Sequence, residues 1–279
     1  MSIRIQERDG RVAGHLYRAR MLTTRQLAAL EFGGKVDAAR RRLYDLNGEV
    51  VQSLGFSVGA EPGAGGRAKS GEGMVWRLSR EYFTAYACKD DDHPDKRYPG
   101  PLRGRGDAAH LISTNEIYVR VAPALDGGRI QGLHPEDWGW LCEPFCHRHY
   151  RTRFGPFKLT PDAEVRVFGT TFLVERQTAA ARKKPEAIHD KVFRYHRYSN
   201  SEHRRAGTED LALAWACDAE RDVRAALDAA LGHPTKGPAE LRMGDLDRER
   251  MPLVAGTPKE VANTILAAAK GHGALPERQ

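Results

Sequence analysis

The sequence is poor in cysteine, in long apolar runs and in internal repetition, and each shortage excludes a class of protein. Four cysteines in 279 residues, Cys88, Cys142, Cys146 and Cys217, are too few for a disulfide framework. They suit a reducing compartment and are expected as free thiols. No apolar run approaches the roughly 20 residues of a membrane helix, and the opening MSIRIQERDG lacks the apolar stretch of a signal peptide. A cytoplasmic protein with no membrane partner is expected. No segment recurs at a fixed period, which argues against a solenoid or propeller.

Positive charge is in excess. The formal charge of +7 and a pI near 9.3 point to a polyanionic partner, because positive potential raises the local concentration of phosphates and steers their approach. Charge alone does not single out nucleic acid. The length suits two ordinary domains, and a hydrophobic share of 41% suffices for a core in each.

In residues 14 to 46 apolar residues recur at helical spacing, predicting three short helices around Leu16, Leu22, Leu27, Leu30 and Leu43. Thr23-Thr24-Arg25-Gln26 has the hydroxyl and following Gln of a helix start, and Gly33-Gly34 supplies a turn. In the third helix Leu43 points inward while Lys35, Arg40, Arg41 and Arg42 spread over the outer surface, the character of a DNA recognition helix. After Asn47-Gly48, residues 50 to 54 and 73 to 78 read as paired strands. The Gly-rich loop between them carries Arg67 and Lys69. This order predicts a winged helix-turn-helix over residues 1 to 85, where fourteen Lys or Arg face nine Asp or Glu. A winged helix that docks protein carries the same pattern, since a fold does not fix a function.

Residues 86 to 106 are charged, rich in Pro and Gly and without periodicity, as a linker is. A second domain is expected over residues 107 to 279. Its predicted parts are a helix to about Ala122, a helical patch over residues 135 to 145, two strands and a long basic helix. An apolar strand at residues 211 to 216 and helices at 220 to 231 and 259 to 270 follow.

Residues 158 to 177, KLTPDAEVRVFGTTFLVERQ, read as a β-hairpin turning at Gly169-Thr170. That turn sets Asp162 opposite Gln177 and Glu164 opposite Glu175, all on one face, while Val165, Val167, Phe172 and Val174 face a core. Carboxylates side by side repel and raise one another's pKa. A divalent cation such as Mg²⁺ or Mn²⁺ removes that cost, and with water and a substrate phosphate completing its shell it supports metal-assisted hydrolysis. The same spacing also suits a strand with one solvated face.

Pro161-Asp162, a turn, and Glu175-Arg176-Gln177 closing an apolar strand resemble the PD-(D/E)XK nuclease signature, with Gln177 where that pattern has Lys. The order of a winged helix, a His110-Leu111-x-x-x-Asn115-Glu116 helix, this hairpin and a Lys-x-x-x-Tyr helix is similar to the replication-relaxation family of plasmids and other mobile elements. The resemblance implies a two-domain α+β or α/β chain, with a restriction-endonuclease-like mixed sheet flanked by helices behind the winged helix. It implies Asp162 and Glu175 as metal ligands with the Arg176 carbonyl as a further contact, and Glu116 as an outer-shell or second-metal ligand. Gln177 would hold the attacking water by its amide.

Residues 185 to 198 read as a helix with Pro185 near its first turn. Ile188, Lys191, Tyr195 and Tyr198 form one stripe, from which Lys191 and Tyr195 reach toward a phosphate over the hairpin face. Residues 182 to 205 hold eight Lys or Arg and three Asp or Glu. Arg194 and Tyr195 suit a nucleic-acid path by charge and stacking, whereas tyrosines turned inward would make the helix a basic one on a core. Cys142, Cys146, His147 and His149 are zinc-compatible residue types, but without a second separated ligand pair they read as buried thiols beside surface histidines. Trp138 and Trp140 read as core anchors.

Double-stranded DNA is therefore the expected partner, with a homodimer left open. The function expected is a Mg²⁺- or Mn²⁺-dependent endonuclease or nickase of a mobile element. The competing reading is a non-catalytic DNA-binding regulator or replication accessory factor whose nuclease fold has become a scaffold. An RNA-directed enzyme is a third.

Overall fold

Thr23 ends one element and caps the next, as its neighbours predict. Its hydroxyl accepts the Gln26 N–H at 3.1 Å while the Gln26 side chain accepts the Thr23 N–H at 3.0 Å, a reciprocal cap that satisfies two otherwise orphaned donors. The structure, a computed structural model, describes residues 3–58, 73–88, 98–99, 105–127, 130, 133–152, 155–178, 185–199, 210–218, 221–222 and 253–271. The chain divides into two compact units, Met1–Val119 and Arg120–Gln279.

In the first unit α1 (Glu7–Ala19), β1 (Met21–Thr23), α2 (Thr24–Glu31) and α3 (Val36–Leu46) are followed by β2 (Val51–Ser57), β3 (Met74–Leu78) and α4 (Arg80–Ala87). The three strands form an antiparallel sheet in the order β1-β3-β2. Leu16, Leu22, Leu27 and Leu43 are buried as predicted; Leu30 is only half-buried. The first helix starts seven residues before the apolar periodicity does, because Asp9 accepts the Gln6 N–H at 2.7 Å and caps a mostly charged first turn. The strand β1 escapes periodicity since it is three residues long, and it places Leu22 against Trp76. Gly33 and Gly34 take φ of 58° and 78°, the left-handed region glycine enters without a Cβ clash.

The helix α5 (Arg105–Leu125) begins in this unit. Asn115 donates to the carbonyls of Ala19 and Met21 at 2.9 and 2.8 Å, and Gln26 donates to that of Ile112 at 3.0 Å. Those bonds explain why the two units divide inside α5, later than the linker the composition suggests.

The second unit carries β4 (Trp138–Cys142), β5 (Arg148–Thr152), β6 (Gly155–Leu159), β7 (Ala163–Val167), β8 (Thr170–Gln177), α6 (Pro185–Ser199), β9 (Asp210–Cys217), β10 (Leu253–Gly256) and α7 (Pro258–Lys270). Five strands form a mixed sheet ordered β10-β9-β8-β7-β4, parallel across β10, β9 and β8 and antiparallel across β8, β7 and β4. Leu173, Leu213 and Trp215 pack under Ile188, Val192, Tyr195 and Tyr198 of α6. The helix α7 packs on β7, β9 and β10 through buried Val261, Ala262, Ile265, Ala268 and Ala269. Both faces being covered, every residue of β8 is buried.

Residues 138–142 are a strand and not the helical patch expected at 135 to 145. Only Pro135–Asp137 turns helically, and beyond it burial alternates, with Trp138, Trp140 and Cys142 inward. The β5–β6 pair and β10 were not anticipated. The helix expected at 220 to 231 lies outside the described residues apart from 221 and 222.

Candidate active site

The β7–β8 hairpin turns at Phe168-Gly169, with φ of 46° and 81°, and not at Gly169-Thr170. Positive φ at both central residues is what a tight two-residue hairpin turn demands, and glycine meets it freely at the second position. Val167 therefore pairs with Thr170 and Ala163 with Val174, two residues away from the expected register. Because side chains alternate with period two, this shift keeps every residue on its expected face and changes only its neighbours. Glu164 faces Leu173, and Asp162 stands just before the first ladder pair, Ala163 with Val174, from where its charge acts on Glu175.

Glu164 is spent on structure: Arg148 grips one oxygen at 2.8 and 3.0 Å and Arg166 the other at 2.7 Å. Asp162 is buried, its N–H bound to the Val174 carbonyl at 2.9 Å and its Oδ2 accepting the Arg176 N–H at 2.6 Å. Glu175, 1% exposed, receives Lys191 on one oxygen and the Tyr195 hydroxyl on the other. Burial above all, then the charge of Asp162, pushes the Glu175 carboxyl up to about 7 against the opposing pull of Lys191 and Tyr195. The Tyr195 hydroxyl, buried against that carboxylate, is pushed well above its ordinary range.

The third member of the signature is sealed away. Gln177 is 2% exposed; its Oε1 accepts the Trp215 indole N–H at 3.4 Å, while its Nε2 is buried without a hydrogen-bond partner among the described residues. On the other face of β8, Arg176 is ion-paired with Asp218 and bonds the Gln177 carbonyl at 2.9 Å. Glu116 lies on α5 in the first unit, where it accepts a hydrogen bond from Gln26 at 2.8 Å.

The helical stripe on α6 lands where the spacing predicts. Lys191 and Tyr195, one turn apart, both reach Glu175 and also line a cleft of about 240 Å³ together with Lys158, Thr160, Asp190 and Arg194. Tyr195 is wholly buried and offers no face to a base, which corrects the stacking contact expected of it; its hydroxyl donates to Glu175. Tyr198 is buried as well, its hydroxyl accepting from Arg148 at 2.9 Å. Arg194 is exposed.

On α3, Lys35 and Arg41 are exposed and Arg40 pairs with Asp37 at 2.9 Å. Arg42 is not an outward residue. Its guanidinium grips buried Asp9 and bonds the Arg4 carbonyl at 2.8 Å, and that pair holds the Asp9 carboxyl below its ordinary value. Sequence reading passed over Tyr44, which is 51% exposed on α3 and stands edge-on to Trp76 at 5.4 Å. Arg67 and Lys69 lie outside the described residues.

Cys142 and Cys146 are buried thiols outside any disulfide. The Cys146 thiol donates to the Pro161 carbonyl at 3.0 Å and burial keeps it far from thiolate, the form a metal needs. His147 bonds Glu143 at 3.0 Å. Among the described residues no three His, Cys, Asp or Glu side chains gather as a metal-holding group.

Fold and site together define a mixed α/β protein with two adjoining buried carboxylates beside a cation-lined cleft. The chain belongs to the replication-relaxation family, whose model matches residues 14–211, and membership points to a role in the replication or relaxation of a plasmid or mobile element. No curated protein and no solved structure matches the chain. Among the described residues no helix is long and apolar enough to cross a membrane.

Proposed function

We propose that this protein binds duplex DNA through its N-terminal unit and hydrolyses a phosphodiester with a divalent metal ion, as an endonuclease or nickase of a plasmid or mobile element. The observation that carries this reading is Glu175, buried behind Lys191 and Tyr195 of the cleft wall and within the charge of Asp162, with its carboxyl at about 7 even though Lys191 touches it. A cation between two such carboxylates removes the repulsion that burial enforces.

The element order helix, strand, helix, helix, two strands and helix, with a β1-β3-β2 sheet, supports a winged helix with α3 as its recognition helix and Lys35, Arg40 and Arg41 toward phosphates. A mixed sheet with the acidic hairpin inside it supports a PD-(D/E)XK-like second domain. Asp162 and Glu175 would hold Mg²⁺ or Mn²⁺, which when bound polarises a phosphodiester and acidifies water. Lys158 and Arg194 attract the phosphate. Tyr195 fixes one Glu175 oxygen, and Lys191 supplies from α6 the ammonium that position 177 lacks.

Purified protein is expected to nick supercoiled plasmid only with Mg²⁺ or Mn²⁺, and Asp162→Ala to abolish nicking while sparing DNA binding. Metal-independent conversion would rule out the metal-dependent mechanism, and no conversion under any metal would rule out the nuclease. A second reading, a non-catalytic DNA-binding accessory factor, is favoured by Gln177 lying buried against Trp215 and by Lys191 being engaged in an ion pair with Glu175. It expects no nicking, with plasmid behaviour unchanged by Asp162→Ala and lost when Lys35 and Arg41 are neutralised.

A further inference from the structure

From His147 to Thr160 the chain holds no Asp or Glu, but it holds Arg148, Arg151, Arg153 and Lys158. In the β5–β6 pair His149 stands opposite Lys158 and Arg151 opposite Pro156. These four are exposed and share one face, because side chains on paired strands alternate together. The other face is spent on the protein: Tyr150 and Leu159 enter the core, and Arg148 grips Glu164. The two-stranded sheet thus has one packed face and one bare basic face. That face is continuous with the cleft, since Lys158 belongs to both and exposed Arg194 stands on the cleft wall.

We propose that the outer face of the β5–β6 ribbon, through Arg151, Lys158 and His149 with Arg194 of α6, is a second DNA-contacting surface that grips the phosphate backbone of duplex DNA and leads it to the cleft. This rests on the reading of the protein as a DNA-acting one. Complementary charge identifies the partner: no carboxylate lies on the ribbon face, and Asp190 on the cleft wall stands among Lys158, Lys191 and Arg194. The aromatics identify the duplex. Surfaces for single strands expose rings on which bases stack, whereas here Tyr150 is buried and stacked on Phe157 at 5.8 Å, and the Arg197 guanidinium covers Phe157 at 4.8 Å. What remains outward is Arg151 and Lys158 with His149 and Pro156 between them, a basic face that suits phosphate tracking.

The test is fluorescence anisotropy of the full chain in EDTA with duplex and single-stranded oligonucleotides of one length, titrated over roughly 50 to 200 mM salt. The double variant Arg151→Ala/Lys158→Ala is compared with Lys259→Ala/Lys270→Ala, which removes the same charge from exposed positions on α7. For duplex DNA the ribbon variant should lower the magnitude of the slope of log K against log salt by about 2, roughly 0.9 per lost phosphate contact, and weaken binding about tenfold or more at the low-salt end. The α7 variant should change neither. Arg151→Lys/Lys158→Arg should restore the slope, which separates charge from folding. A ribbon variant equal to the α7 variant overturns the proposal and leaves the function untouched. An effect confined to the single strand overturns the duplex assignment, and a wild-type chain that binds no DNA overturns the reading beneath it.

Discussion

Asp9 in the first unit and Glu175 in the second are both buried carboxylates with a basic partner, yet their acidities move in opposite directions. Burial opposes ionisation in both. At Asp9 the Arg42 fork, the Gln6 N–H and the nearby charge of Arg8 outweigh it, and the carboxyl stays below its ordinary value. At Glu175 one ammonium and one phenol face burial plus the charge of Asp162, and the carboxyl climbs to about 7. The difference teaches where each unit's charge is used: closed into a packing contact between α1 and α3 in the first, left undercompensated at a cleft in the second. Perturbed acidity beside a cleft is what the proposed function draws on at Glu175, whereas the closed Asp9 and Arg42 pair holds two helices together.

Four outcomes would break or sharpen that contrast. The largest is Arg42→Ala, which strands a buried anion and should cost about 3–5 kcal/mol in denaturant unfolding; a loss below 1 kcal/mol would reduce the pair to a surface contact. Next comes pH. The Glu175 carboxyl is raised in the folded chain, so its contribution to stability is full below 4.5, its ordinary value, and is lost as pH climbs through about 7, at a cost of about 3 kcal/mol. Asp9 runs the other way, contributing above 3.8 and losing its contribution as pH falls through its lowered folded value. Asp162→Asn should flatten the Glu175 slope in unfolding curves between pH 4.5 and 7; an unchanged slope would mean that the carboxylates do not couple.

Lys191→Ala should cost less than Arg42→Ala, about 1–2 kcal/mol near neutral pH, because Glu175 is already raised to about 7 and takes up a proton more readily than Asp9, which starts below its ordinary value. Equal losses in the two variants would remove the contrast. Smallest is Arg41→Ala, which should weaken duplex binding several-fold and lower the salt slope by about 1 while leaving the melting temperature within error.

Local signals were legible in the sequence and long-range ones were not. The Thr23 and Gln26 cap, the Gly33-Gly34 turn, the two faces of the hairpin and the Lys191 and Tyr195 stripe follow from spacing of a few residues. The hairpin register did not, since it depends on which residue enters positive φ, and Phe168 in that role is no glycine. Arg42 was misjudged because its partner lies 33 residues away. Trp138-Gly139-Trp140-Leu141-Cys142 carries no helical period, and its alternating burial makes a strand where a helical patch was expected. The basic face of β5–β6 was hidden for a plainer reason: alternation shows only once the strand is recognised as a strand.

The central claim, that Asp162 and Glu175 are arranged for a cation, is tested most directly by calorimetric titration of the metal-free chain with Mn²⁺ at pH 7, repeated with Asp162→Ala. The wild type should bind the ion and release protons as Glu175 is forced to ionise, and the variant should do neither. A wild type that takes up no Mn²⁺, or an Asp162→Ala chain that binds it equally well, would contradict the claim.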